Sequence, residues 1–332
     1  MALNMIENRQ LLYIVSMFMI VQFMGLILAS QVFSAATFIP ALSSPQNPYY
    51  TGGIIYLAYI IGVIAVFSVV LVVLFRFVKT DVLFTLLEIW VIGMASFLFF
   101  LVAIGAVTGN AFSVLFGNGP SLVVLAVALV CTAALVAAKF RWQKLRNVTA
   151  MVASVGAGLA LGVSFPFWFA FTFMVILAVY DFIAVFITKH MLTLANAAMS
   201  RNMSLMIMVG EVEAVPTSSL SKAEMSEYSK VKDELAAKSP IHKSVMESGM
   251  VPMSARTALG TGDLMAPLMI AISSYTVYFN FVLPLVIVVG SIFGLCITMY
   301  TLKKYKRALP AIPFLLFGIC VALGVFFAIT AL

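Results

Sequence analysis

Three acidic side chains in this sequence sit where water is scarce. Glu88, Asp181 and Asp263 each lie well inside a long apolar run, whereas the other nine acids fall in the N-terminal segment or in polar stretches. Placing an ionisable group at such depth costs roughly 3 kcal/mol even on lenient insertion scales, and it marks a functional site by default. Two of the three carry further signals. Tyr180-Asp181 stands in the middle of one apolar run, and Gly260-Thr261-Gly262-Asp263 opens the next. The two glycines remove side chains beside the acid, so another backbone can come close. Pro267, four residues on, loosens the helix there by deleting one of its N–H donors. Two carboxyls at close range do not both ionise, so they share a proton. The ionised one can activate a water while the protonated one polarises a carbonyl, which is the chemistry of peptide hydrolysis by paired aspartates. Such a pair titrates as a unit.

The elements that must position these acids follow from hydropathy. The chain has 332 residues, 64% hydrophobic and 9% charged; soluble domains carry roughly a quarter charged residues. A membrane-crossing helix takes roughly 20 mostly apolar residues. On that basis the sequence predicts an all-α integral membrane protein with nine spans, at 11–33, 54–75, 82–107, 121–138, 148–163, 167–188, 257–278, 281–302 and 310–331. The first apolar stretch exceeds the roughly 7–15 residues of a signal-peptide core, so it reads as a retained span. The fifth is rich in small residues (Gly156, Gly158, Gly162), which let helix backbones approach closely, so it is expected inside the bundle. The chain divides into residues 1–188 with six spans, a polar loop 189–256, and residues 257–332 with three more. Within the loop, Ser218–Lys238 reads as a solvated tether. Leu205–Val209 is apolar but too short to span, so it reads as an interfacial segment or a strand against the bundle.

Charge sets the orientation. All 19 Lys and Arg residues fall before the first span or after the second, fourth, sixth and eighth, and the intervening loops carry none. The positive-inside rule then puts the N-terminus in the cytoplasm and the C-terminus outside, in a cell membrane. The net charge of +7 thus reports topology, and no basic surface interleaved with aromatics suggests nucleic acid. Counted from the nearest basic residue, Lys189 or Arg256, Asp181 lies about 12 Å and Asp263 about 10–11 Å into the membrane. They sit on consecutive antiparallel spans, so the two can face each other at one level. Glu88 lies about 13 Å in from Lys79 without any motif beside it, and reads as snorkelling or polar packing.

Other chemistries fit poorly. There is no H-E-x-x-H for zinc, and both histidines, His190 and His242, lie in the polar loop, away from any intramembrane serine. The three cysteines stand at no metal or redox spacing. No metal or other cofactor is expected. The rival reading is a proton- or cation-coupled transporter using the three acids as a relay; such folds often betray inverted repeats, and none is evident.

Together, Y-D, G-x-G-D and Leu309-Pro310-Ala311-Ile312-Pro313 resemble the motifs of the presenilin and signal peptide peptidase family of intramembrane aspartyl proteases. That family carries Y-D in its sixth helix, G-x-G-D in its seventh and Pro-Ala-Leu in its ninth. Ile312 replaces the leucine, an aliphatic exchange, and a literal Pro40-Ala41-Leu42 lies in the first external loop, on the wrong side for the aspartates. The resemblance spans the whole nine-helix layout and implies that Asp181 and Asp263 are the catalytic pair. It also makes Tyr180, Gly260, Thr261, Gly262, Leu264, Pro310, Ala311, Ile312 and Pro313 the candidate substrate contacts. The orientation is that of presenilins, while the G-D-x-x-x-P spacing is more like the peptidase branch, as a microbial presenilin homologue would combine them. Expected substrates are transmembrane proteins or signal peptides in the bilayer; the sequence leaves open accessory subunits and homo-oligomers.

Overall fold

The computed structural model describes residues 2–33, 62, 81–109, 120–142, 145–187, 206–209, 213–216, 250–253, 257–278, 281–305 and 309–330. The expected second span at 54–75 (except Gly62), the Pro40-Ala41-Leu42 triplet, both histidines and the Ser218–Lys238 tether lie outside the described residues. In chain order the helices are α1 (Ala2–Phe33), α2 (Asp81–Val107), α3 (Leu122–Arg141), α4 (Leu145–Ser164) and α5 (Phe167–Phe182), which runs on as a π turn, Ile183–Ile187. Four short strands follow: β1 (Met206–Val209), β2 (Glu213–Pro216), β3 (Met250–Met253) and β4 (Thr257–Gly260). The chain closes with α6 (Thr261–Tyr278), α7 (Val282–Tyr305) and α8 (Ile312–Thr330). Among the described residues seven helices are long and apolar enough to cross a membrane.

The chain falls into two compact units. The smaller comprises Met1–Ile14 and Met208–Ala258 and contains the antiparallel β2–β3 pair, with Glu213 opposite Met253. The larger comprises Val15–Ile207 and Leu259–Leu332, and holds all three membrane acids. β1 and β4 form a second two-stranded sheet, so Met206–Val209 of the apolar 205–209 segment is a strand; Leu205 lies outside the described residues. The fold is mostly helical, consistent with the expected all-α membrane architecture, with two short two-stranded sheets in addition.

Within the larger unit, α4 is the central helix. Two-thirds of its span is enclosed (67%) against 17% for α3, so α4 fills the middle and α3 the rim. Its glycines explain this. A Cβ at Gly156 would strike the Ala95 backbone on α2, and one at Gly158 or Gly162 would strike Leu268 or Ile272 on α6. Without side chains at these points, backbones pack closely, which is what drives helix association in lipid. α7 and α8 meet the same way: Gly290 and Gly294, one turn apart, close on Gly318. α1 runs parallel to α6 in matching register. Gln22 meets Leu264, Gly25 faces the Leu268 side chain, and the Phe33 ring stacks on Tyr275 at 4.5 Å. Large apolar side chains such as Leu122, Val123 and Val289 point outward. That surface suits lipid tails. Trp142 near the end of α3 and Trp168 at the start of α5 are exposed as well, as amphipathic rings are at membrane interfaces.

Two differences from the expected span boundaries bear on the motifs. Residues 257–260 are strand, and the helix starts only at Thr261. Glycine is poor inside a helix but acceptable at its N-cap, so Gly260 ends the strand and α6 begins after it. In the last span, Pro310 and Ala311 precede the helix, and Pro313 sits in the first turn, where a missing N–H costs nothing.

Glu88 is accounted for by packing. Its carboxylate meets the Lys139 ammonium on α3 at 2.5 Å, with both side chains buried. Removing one partner of such a pair strands the other charge. Glu88→Ala or Lys139→Ala should therefore cost about 3–5 kcal/mol of stability, while a Glu88→Met/Lys139→Met double substitution should cost far less. Unfolding in detergent, read by circular dichroism, checks this; equal losses in single and double variants would count against it.

Candidate active site

Asp181 occupies the last turn of α5 and is 7% exposed. Its position is set by the start of α8. The first N–H groups of a helix have no helical acceptor, and the dipole there favours negative charge. The Ile312 N–H donates to Asp181 Oδ2 at 3.4 Å, and the Ala311 N–H is a second backbone donor. The π turn that follows Asp181 is a form found mostly at functional sites.

Asp263 is the third residue of α6 and is half-buried. It caps its own helix: the Gly260 N–H donates to Asp263 Oδ2 at 3.2 Å, one half of a capping box. The two glycines of the motif do different things. A Cβ at Gly260 would stand 3.1 Å from Asp263 Oδ2, so this residue is small because the carboxylate needs the room. At Gly262 a Cβ would meet nothing within 4 Å among the described residues, and the residue is exposed. Gly262 leaves open space beside the acid.

The two carboxyls are electrostatic neighbours, the charge of Asp181 acting on Asp263. α5, α6 and α8 all pack on one another, so the three sequence motifs converge. Tyr180, next to Asp181 in sequence, is half-buried; Pro310 and Ala311 are buried, and Ile312 and Pro313 half-buried. Thr261 is half-buried, its carbonyl 3.4 Å from Ser154 Oγ on α4. Leu264 differs from the rest: its side chain is fully enclosed, which does not suit a substrate contact, and it is through its carbonyl that the residue takes part, as acceptor of Gln22 Nε2 at 3.0 Å. Glu88 belongs with Lys139. Among the described residues no cluster of three or more His, Cys, Asp or Glu side chains stands ready to hold a metal ion. Gln22 and Ser154 carry one signal in the sequence, a polar side chain inside an apolar run.

Two aspartates gathered by three apolar helices define a class, an aspartyl hydrolase seated in a membrane-spanning bundle. The family model described as "Signal-peptide peptidase, presenilin aspartyl protease" matches residues 15–331, and the chain belongs to that family. It is a multi-pass integral membrane protein and an intramembrane aspartyl protease. The fold is similar to that of a presenilin family intramembrane aspartate protease solved in two space groups. The C222 form has 22% identity and a TM-score of 0.53, covering 94% of each chain. The P2 form has 22% identity and a TM-score of 0.51, covering 94% of this chain and 96% of that one. A comparison with curated proteins finds no match. Nothing in these comparisons supports the transporter alternative.

Proposed function

We propose that Asp181 and Asp263 are the catalytic dyad, and that they hydrolyse peptide bonds within transmembrane proteins or signal peptides. One observation carries this reading. The start of α8 donates the Ile312 N–H to Asp181, and Asp181 in turn neighbours Asp263, so three separate motifs build one site. A substrate helix hides its carbonyls in hydrogen bonds and must unwind to be cut. Gly262 provides open room for an extended backbone beside Asp263, with Tyr180, Gly260, Thr261 and the 310–313 segment as its surroundings. One carboxyl, ionised, takes a proton from water; the other, protonated, donates to the scissile carbonyl.

The topology we propose has nine spans: the seven apolar helices, α6, and the run at 54–75. At 1.5 Å per residue, the 18 residues of α6 reach about 27 Å, close to the hydrocarbon thickness. The parallel run of α1 and α6 supports it, since a first and a seventh span cross in the same direction. The reading we propose, with the positive-inside rule, has the N-terminus in the cytoplasm and the C-terminus outside, and takes the membrane to be the cell membrane. The organisation that follows is residues 1–188 and 257–332 in the bilayer, joined by the cytoplasmic loop 189–256. The experiment is direct. The purified protein, reconstituted in lipid, should cut a tagged single-span substrate, and a hydroxyl-bearing transition-state mimic should stop it. Cleavage that ignores the mimic would reject the dyad chemistry.

A further inference from the structure

We propose that Gln22 is a positioning residue for Asp263, acting from α1 through the backbone of α6. The inference rests on the reading of Asp263 as catalytic. Gln22 is fully buried and donates Nε2–H to the Leu264 carbonyl at 3.0 Å, one residue past the aspartate. In a helix that carbonyl already has an acceptor role, toward the Leu268 N–H. The Gln22 bond therefore satisfies no orphaned group of α6. What it does is tie one turn of α6 to a second helix.

That turn is the one that needs tying. Pro267 has no N–H, so the carbonyl four residues earlier, that of Asp263 itself, lacks its helical donor. The turn bearing the acid is thus short of one internal bond, and the Gln22 amide grips the next carbonyl along. Leu268, lodged between Gly25 of α1 and Gly158 of α4, fixes the following turn from both sides. Ser154 is the weaker neighbour on the preceding turn: its single proton goes to the Ala150 carbonyl at 2.8 Å, and Thr261 O lies farther, at 3.4 Å. Of these two side chains Gln22 is the firmer polar tie to α6.

The other half of the amide argues against a purely structural role. Gln22 Oε1 is buried and has no hydrogen-bond partner among the described residues. A buried acceptor left unmet weakens a fold, and an apolar side chain of similar size removes that penalty. So Gln22→Met should hold or raise the thermal unfolding midpoint while it frees the Asp263 turn. A displacement on the order of 1 Å at a reacting group costs up to about a hundredfold in rate. The change should fall on kcat with KM nearly unmoved, since the substrate's own contacts remain.

The test uses the full-length protein in lipid, with a tagged single-span substrate, and compares wild type, Gln22→Met, Gln22→Glu and Asp263→Asn. Gln22→Met is expected to lose about ten- to a hundredfold in kcat with an unchanged or higher unfolding midpoint. Gln22→Glu adds a readout that packing alone would not move. When protonated, the glutamic acid O–H can donate to the Leu264 carbonyl; when ionised it cannot. Its rate relative to wild type should therefore rise as pH falls and exceed that of Gln22→Met at the acid end. The inference is overturned if Gln22→Met matches wild type, if its loss of rate simply follows a lowered unfolding midpoint, or if Gln22→Glu gives no recovery at low pH. Asp263→Asn separates the two readings: should it cleave normally, the catalytic assignment fails whatever Gln22 does.

Discussion

Asp181→Asn and Asp263→Asn should each abolish cleavage, by at least about a thousandfold, while leaving the protein folded. General acid–base assistance alone is worth 10²–10⁴-fold, and here each carboxyl depends on the other to hold the proton it lacks. Asparagine preserves the local structure because its carbonyl oxygen can still accept the N–H of Ile312 at one position or of Gly260 at the other. The unfolding midpoints should thus stay near wild type. The double variant should be no worse than either single one, because residues that act as a unit lose their effect together. Cleavage of a tagged substrate by the four purified proteins measures all of this. A single variant with normal turnover would remove that residue from the mechanism.

Gly318→Ala should damage stability and turnover together. Gly318 faces the backbone of α7: an added methyl group would lie 2.6 Å from the Gly294 nitrogen and closer still to the Gly290 carbonyl. A flexible side chain could yield there. Backbone cannot, so α7 and α8 must separate. Overpacking of this kind costs typically about 1–3 kcal/mol. The start of α8, six residues away, carries the Ile312 N–H that holds Asp181, so the same separation reaches the site. The expected result is a lower unfolding midpoint and a kcat reduced by about tenfold or more. By contrast Gly324→Ala, where an added carbon meets nothing within 4 Å, should change neither. Equal behaviour of the two variants would contradict the packing argument.

Much of this architecture was legible from the chain because the bilayer narrows the options. A backbone crossing lipid must satisfy its own hydrogen bonds, so long apolar runs translate into helices almost one for one. The acids stood out for the same reason, being costly where they were. The small-residue span also went where its glycines suggested. What escaped reading depends on neighbours. Thr257–Gly260 is apolar and adjoins a helix, so hydropathy could not separate the strand from the span. The glycines of 260–263 were read as room for a substrate. A Cβ at Gly262 would meet nothing within 4 Å among the described residues, whereas Gly260 serves the carboxylate. Lys139 was counted as a marker of the membrane face, and only the pairing of α2 with α3 reveals it as the partner of Glu88. Gln22 carries no charge and barely disturbs the hydropathy of α1. Its use follows from α1 lying parallel to α6, which no local pattern encodes.

The cap that Asp263 forms on its own helix has a consequence for turnover. A hydrogen bond from an amide to a carboxylate is roughly twice as strong as one to a neutral acid. Whenever Asp263 gains or gives up its proton, the grip on Gly260 changes in step, and with it the junction where β4 gives way to α6. Protonation state and the firmness of that joint are therefore one variable. Under the dyad chemistry proposed above, each change of that protonation state would loosen or tighten the strand–helix joint just upstream of the acid.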